Sequence, residues 1–450
     1  MSGLLDVMPT NSPESLYDVH RMGDQEVEVV APKPRITLTE DQRAAHEAFA
    51  QLILHKRHHI MVIKGYAGTG KTSLVQHIIN ELPTMLKMAR VVTREKELEV
   101  VLSATTNKAV EALAQTVSLP VRTIQSVLGL VVKKDYSTQE TTLALSSRAE
   151  ILYNTILFID EASFIDQRLF DYILERTSNC KIVFIGDPAQ LASVKSNKTP
   201  VFSAGYPTVS LEKIVRQPEG NQIVDLATAF RNTVNGYAWP EGIVPDGEAI
   251  IYQSRPDFNE AIVKEFTRPD WHFTDSKVLA WTNKRVTEYS GAIRNKVMGD
   301  PVIQIGDYVT CNSHISTLTC RLKTDAMVQI TGMYPVRDWG YEGWRITLDN
   351  KWEAFMPLTT DIRKEAAKVA KKADNFLLAR AVDENWIDLR AVYACTINKS
   401  QGSTYDKVFI DLDDISKCNQ GNQIARMMYV AVSRARHQVY LTGDIFNPRS

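Results

Sequence analysis

Eight consecutive residues, Gly65-Tyr66-Ala67-Gly68-Thr69-Gly70-Lys71-Thr72, fit the pattern G-x-x-x-x-G-K-[ST] without exception. Glycines at this spacing let backbone N–H groups converge on an anion at the positive end of a helix dipole. The expected triphosphate ligands are Gly65, Ala67, Gly68, Thr69, Gly70, Lys71 and Thr72, with Lys71 on the β- and γ-phosphates and Thr72 on Mg²⁺. Two adjacent carboxylates, Asp160 and Glu161, end the apolar run Ile156-Leu157-Phe158-Ile159. Successive residues at a strand end point in different directions. Asp160 is therefore expected on Mg²⁺, and Glu161 is expected to orient and deprotonate an attacking water. Gln190, in Gly186-Asp187-Pro188-Ala189-Gln190, has an amide able to bridge γ-phosphate and water; a solvated Gln after a turn is the plainer alternative. Arg216 and Arg434 are candidate cations brought up from a second lobe, where such a group is worth about 10³-fold or more in rate.

These groups need a frame. Residues 60–63 read as a buried strand before the glycine loop, and residues 73–79 continue behind it with helical spacing. Apolar runs at 100–102, 156–159 and 182–185 each end at small, polar or acidic residues, which suits a parallel sheet covered on both faces. Open α/β sheets bind ligands at the carboxyl ends of such strands. A second set of runs lies at 278–281, 408–411 and 439–441. Between its first two members, residues 301–356 alternate as β-strands do, and 361–380 read as a basic helix whose usual role is a solvated face. Residues 127–152 read as a hairpin with a polar tip. The expected division is an acidic tail at 1–35, a first domain at 36–207, a second at 208–300 with 388–450, and an insert at 301–387.

With 450 residues, 44% apolar and 23% charged, the chain has an ordinary globular composition. It has no run of about eighteen apolar residues and no secretion signal, so no membrane partner and a cytoplasmic location are expected. Five scattered cysteines, without a C-x-x-C pair, argue for reduced thiols. The net charge of −1 neither shows nor excludes a basic stripe for nucleic acid. GTPase function is set aside, because none of the Asn-Lys dipeptides at 107, 283 and 398 has an Asp two residues later.

In chain order these segments resemble the motifs of superfamily 1B helicases of the RecD/Dda type, from about Leu38 to Leu441. Leu38-Thr39-Glu40-Asp41-Gln42 is similar to the adenine-reading Q motif; Thr39-x-x-Gln42 is also a helix capping box. Ser103 to Ala109 resembles motif Ia, Thr123-Ile124-Gln125-Ser126 motif Ib, and Asp160-Glu161 motif II. Gly186 to Gln190 resembles motif III, the stretch around Arg216 motif IV, Thr396 to Thr404 motif V, and Tyr429 to Arg434 motif VI. The resemblance implies an α/β fold of two RecA-like P-loop NTPase domains with parallel sheets. It implies a β-hairpin pin inserted in the first and an SH3-like β insert in the second. It also implies ATP and Mg²⁺ as cofactors, Gln42 and Gly402 at the nucleotide, 5′→3′ movement on single-stranded and forked duplex DNA, and a monomer. The sequence departs from the family pattern where Gln125 and Asn398 stand in place of a usual His.

Candidate DNA contacts are Thr105, Thr106, Asn107, Thr123 and Gln125 in the first lobe, Tyr136 at the hairpin tip, and Trp281, Thr282, Asn283, Thr396, Asn398 and Lys399 in the second. Trp281 either stacks a base, worth about 1–3 kcal/mol, or packs under the sheet edge. Tyr136 either meets the fork or caps a structural hairpin. The tail is a disordered segment or a docking arm for a single-strand-binding or replisome protein. An RNA helicase of the same superfamily and a nucleotide-gated clamp without unwinding activity are the competing readings.

Overall fold

The computed structural model describes residues 37–93, 98–134, 141–147, 149–191, 199–215, 220–300 and 302–446. Residues 1–35, Tyr136 and Arg216 lie outside them.

The first sheet has six parallel strands in the order Thr208–Leu211, Ile60–Gly65, Lys181–Gly186, Thr155–Asp160, Glu99–Ala104, Val121–Thr123. Its central strands are buried on both faces: Ile156, Leu157, Phe158 and Ile159 are all sealed from solvent. Two apolar layers result. Helices α1 (Glu40–Leu54) and α2 (Lys71–Thr93) cover one face with Phe49, Leu74 and Ile78; Ile165, Leu169 and Ile173 cover the other. The expected capping box is present at the start of α1, where the Gln42 N–H donates to Thr39 Oγ1 and the Thr39 N–H donates to Gln42 Oε1. Residues 130–134 and 141–145 pair antiparallel, with Leu130 buried in the core of this body and Leu143 O accepting from Arg168 Nη2 at 2.7 Å.

The second sheet has five strands, in the order Ile250–Tyr252, Ala435–Thr442, Tyr405–Asp411, Ser276–Ala280, Ala394–Thr396, and its pairs are parallel. The helix Gly421–Val432 packs against it and is buried from Ile424 onward except at Arg426. Ser276–Ala280, the helix Asn283–Met298 and Ala394–Thr396 make a strand–helix–strand crossover. The long antiparallel excursion grows from the return limb of that crossover. Its sheet runs Trp352–Pro357, Tyr341–Leu348, Met327–Asp338, Tyr308–Cys311, Leu389–Ala391, the last strand lying just past residue 387. Residues 361–380 are two helices, Thr360–Lys372 and Phe376–Arg380, rather than one. Asp374, at φ 45°, breaks the run. Ala366 and Ala370 pack on the core around Trp386, and Lys364, Lys368, Lys371 and Lys372 face solvent.

Candidate nucleotide site and nucleic-acid cleft

The glycine loop turns between the Ile60–Gly65 strand and α2 with Gly68 at φ 82° and Gly70 at φ 78°, a region that L side chains avoid. A Cβ at Gly65 would stand 2.8 Å from Thr69 Oγ1 and 2.9 Å from Lys71 Cγ, so the loop closes tightly on its own lysine. The Lys71 ammonium donates to the Gly65 and Tyr66 carbonyls at 2.7 and 3.0 Å. Gln42 donates through Nε2 to Thr69 O at 2.9 Å while its Oε1 caps α1. One buried amide thus serves both as helix cap and as a strut to the loop. The chain running toward Arg216 is fastened here as well. Val215 N–H donates to Gly68 O at 2.8 Å, and Asp41 Oδ2 accepts from the N–H groups of Glu212 and Lys213 at 2.7 and 3.0 Å.

Asp160 ends its strand facing this loop, and its carboxylate accepts the Glu161 N–H at 2.8 Å. Glu161 sits at φ 53°, a left-handed conformation that costs a non-glycine residue about a kcal/mol and clusters at functional sites. Glu161 Oε2 is buried without a hydrogen-bond partner. Burial pushes the Glu161 carboxyl up to about 7; Asp160 reinforces this, while Lys71 and Arg434 oppose it. Burial likewise raises Asp160, against the pull of the Glu161 N–H and Lys71. A pair of half-buried carboxylates with one sealed, unsatisfied oxygen is a donor set suited to a hard divalent cation and a water.

Arg434 reaches the same place from the second sheet. It is 5% exposed and donates to Val430 O, Ser403 O and Ser433 Oγ. Burial lowers its pKa, and Glu161, Tyr429 and Asp187 oppose that shift. Lys71 from one sheet and Arg434 from the other therefore act on a single carboxylate, Glu161.

Gln190 is 3% exposed rather than solvated. It donates to Asp187 Oδ2 at 3.2 Å and accepts from Gln401 Nε2 at 3.2 Å. Four further residues complete this seam, and the sequence reading gave none of them a role: Asp187, Gln401, Arg426 and Tyr429. The Tyr429 hydroxyl accepts the Ala67 N–H at 2.7 Å and donates to Asp187 Oδ2 at 2.6 Å. Arg426 Nη1 donates to the carbonyls of Pro188 and Gln190, both at 2.7 Å. A usable signal was present. Arg426 and Tyr429 are the polar-tipped residues within Ile424-Ala425-Arg426-Met427-Met428-Tyr429-Val430-Ala431-Val432, spaced three apart and hence on one helix face.

The candidate nucleic-acid residues separate into groups. A cleft of about 650 Å³ is lined by Lys108, Asn283, Asn312, Thr396 and Lys399, among others, and so draws on the first sheet, the second sheet and the insert. Lys108 Nζ donates to Lys399 O at 2.5 Å, and Lys399 Nζ donates to Asn312 Oδ1 and pairs with Asp325 at 3.2 Å. Gly402, at φ 78°, borders this cleft. Thr105, Thr106, Asn107, Thr123, Gln125, Trp281, Thr282 and Asn398 are not among its lining residues. Thr105 donates to Glu161 O at 2.9 Å, tying the strand end to the carboxylate pair. Thr106, Thr123, Thr282 and Thr396 each cap a helix. Trp281 is partly buried against the second-sheet core, and its backbone N–H donates to Asp414 Oδ2.

Residues 37–238 match the model of an AAA domain, and residues 391–442 match that of a UvrD-like helicase C-terminal domain. The chain is 24% identical to the ATP-dependent DNA helicase dda of Enterobacteria phage T4, over 90% of this chain and 98% of that one. It is 21% identical to protein R530 of Acanthamoeba polyphaga mimivirus, over 89% and 98% respectively. A crystal structure of Pif1 helicase from Bacteroides in complex with ADP-AlF3 and ssDNA aligns with a TM-score of 0.47 at 16% identity, covering 91% of this chain and 93% of that one. Motif order, the matched domains at both ends and near full-length similarity to dda together support a superfamily 1B helicase.

Proposed function

We propose that the chain is an ATP-dependent DNA helicase that moves 5′→3′ along single-stranded DNA and opens forked duplexes. The observation that carries the reading is the shared target of Lys71 and Arg434. Half-buried Glu161 lies between a loop cation and a second-sheet cation, and the Tyr429 hydroxyl joins the loop's Ala67 N–H to Asp187 across the same seam, so the state of a phosphate at the loop is felt on both sides of it.

In this reading Lys71 exchanges its two loop carbonyls for the β- and γ-phosphates. Thr72 and Asp160 would hold Mg²⁺, which would neutralise charge on the phosphate oxygens. Glu161 takes a proton from the attacking water, and its raised pKa suits a base working near neutral pH. Gln190, wedged between Asp187 and Gln401, reports the phosphate to the second sheet. Arg434 stabilises charge on the transferring group, and Arg216 acts as a second such cation.

DNA runs through the cleft of Lys108, Asn283, Thr396 and Lys399. The first-lobe threonines with Asn107 and Gln125 extend the path, Trp281, Thr282 and Asn398 flank it, and Tyr136 meets the fork at the hairpin tip. The same proposal includes a monomer in the cytoplasm and a docking role for residues 1–35 toward a single-strand-binding or replisome protein. No helix of the described residues is long and apolar enough to cross a membrane.

The test is unwinding of matched 5′- and 3′-tailed duplexes with ATP hydrolysis followed in parallel. DNA-stimulated hydrolysis and opening of the 5′-tailed fork alone are expected. Hydrolysis that ignores DNA would end the motor reading, and a preference for RNA would move the protein to the RNA class.

A further inference from the structure

Helices α1 and α2 lie side by side, and three metal-ligating side chains converge between them, apart from the carboxylates assigned to Mg²⁺. His46 comes from α1. His77 and Glu81 stand one turn apart on α2, so both project from the same face. His46 Nε2 is 2.9 Å from Glu81 Oε2, and His77 Nε2 is 3.4 Å from Glu81 Oε1. The two imidazoles meet edge-on with ring centroids 5.3 Å apart. All three ligand atoms fall within 4.8 Å of one another, the one such grouping of His, Cys, Asp or Glu among the described residues.

An ordinary histidine–glutamate ion pair accounts for part of this arrangement. It does not account for His46 Nε2, which is shut off from solvent yet makes no hydrogen bond of acceptable geometry, despite a carboxylate oxygen at 2.9 Å. Two imidazole nitrogens and one carboxylate form a borderline donor set. Zn²⁺, Co²⁺ and Ni²⁺ take such sets with water in the remaining position, whereas Mg²⁺ and Ca²⁺ prefer oxygen throughout.

We propose that His46, His77 and Glu81 form a binding site for a Zn²⁺-class divalent cation that clasps α1 to α2. The placement gives the clasp a consequence. His46 is one helical turn beyond Gln42, whose amide supports the glycine loop at Thr69 O, and α2 begins with Lys71. A cation here fixes the angle between the two helices that carry those residues. The proposal stands on side-chain geometry and does not rest on the helicase reading.

The experiment uses the full chain, untagged, stripped of metal and free of nucleotide. Co²⁺ is titrated as a spectroscopic probe and then displaced with Zn²⁺. The expected result is one equivalent of Co²⁺ with a visible absorption band, displaced by Zn²⁺, and a rise in melting temperature with Zn²⁺. His77→Gln and Glu81→Gln, each checked for native circular dichroism, are expected to weaken Co²⁺ binding by at least about tenfold. Asp160→Asn is expected to keep the band. No band in the parent chain overturns the proposal, as does a band that survives both α2 substitutions or disappears with Asp160→Asn.

Discussion

Replacing Tyr429 with Phe removes one oxygen atom from the seam between the sheets. That oxygen accepts the Ala67 N–H of the glycine loop at 2.7 Å and donates to Asp187 at 2.6 Å. Tyr429 is 2% exposed and Asp187 fully buried, so water cannot replace the hydroxyl at the Asp187 carboxylate. Asp187 keeps the Ala189 N–H at 2.9 Å and Gln190 Nε2 at 3.2 Å, which holds the carboxylate in place but with its shortest donor gone. At about 1–1.5 kcal/mol net for each lost hydrogen bond, the substitution costs about 2–3 kcal/mol. Both bonds cross from the second-sheet helix to first-sheet loops, so the loss falls on the coupling between them rather than on the loop's own fold. Expressed in the DNA-stimulated rate, that is about a 30- to 150-fold drop in kcat, since tenfold corresponds to about 1.4 kcal/mol. Steady-state ATPase assays with saturating single-stranded DNA read kcat directly, while nucleotide binding measured without DNA should change by less than about threefold on the same scale. A Tyr429→Phe enzyme with parental kcat and parental unwinding per ATP would refute the idea that this hydroxyl links the sheets.

Other substitutions probe separate parts. Glu161→Gln should stabilise the nucleotide-free protein at high pH and not at low pH. The folded-state pKa of about 7 lies above the ordinary glutamate value of 4.5, so the folded protein holds the proton longer and loses stability as pH rises through that window. The gain from the substitution should grow between pH 4.5 and 8 to on the order of 3 kcal/mol at most, read by urea melts across pH. Lys108→Ala should lower the slope of log affinity for single-stranded DNA against log salt by about 1, with loss spread evenly over DNA sequences in fluorescence titrations. Arg294→Met should cost about 3–5 kcal/mol in unfolding, because Arg294 is 1% exposed and donates through Nε and Nη2 to buried Asp307, which would be left uncompensated. Gly343→Ala should lower the stability of the insert by about 1–3 kcal/mol, since the new methyl meets the Met356 carbonyl and the Phe355 ring.

Local chemistry made the nucleotide end of the molecule legible from residues alone. The glycine loop, the carboxylates at 160–161 and the strand runs of both parallel sheets each carry short-range signals of type and spacing. Gln42 was readable in two ways, and the structure engages both ends of its amide, one as a cap and one on the loop. What stayed hidden depends on contacts between residues hundreds of positions apart. Tyr429 meets Ala67 and Asp187 only because the second sheet docks on the first, and no local pattern encodes that docking. The cleft shows the same limit. Thr106, Thr123, Thr282 and Thr396 stood out as polar residues at strand ends, but each spends its hydroxyl on capping a helix. Lys108, buried within a recognisable motif, is the side chain that reaches across to Lys399. The break at Asp374 was masked by a run of good helix formers on either side of it.

The excursion between residues 302 and 391 hangs from a simple crossover whose flanking strands, Ser276–Ala280 and Ala394–Thr396, pair directly. Its departure and return therefore sit at neighbouring positions, and the crossover is complete without it. Such an attachment works like a tool-holder. The accessory piece can be lengthened or exchanged by descent or by engineering while the engine beneath keeps its registers, and a carboxylate like Asp307, which neutralises buried Arg294, is one latch that any replacement would have to supply afresh.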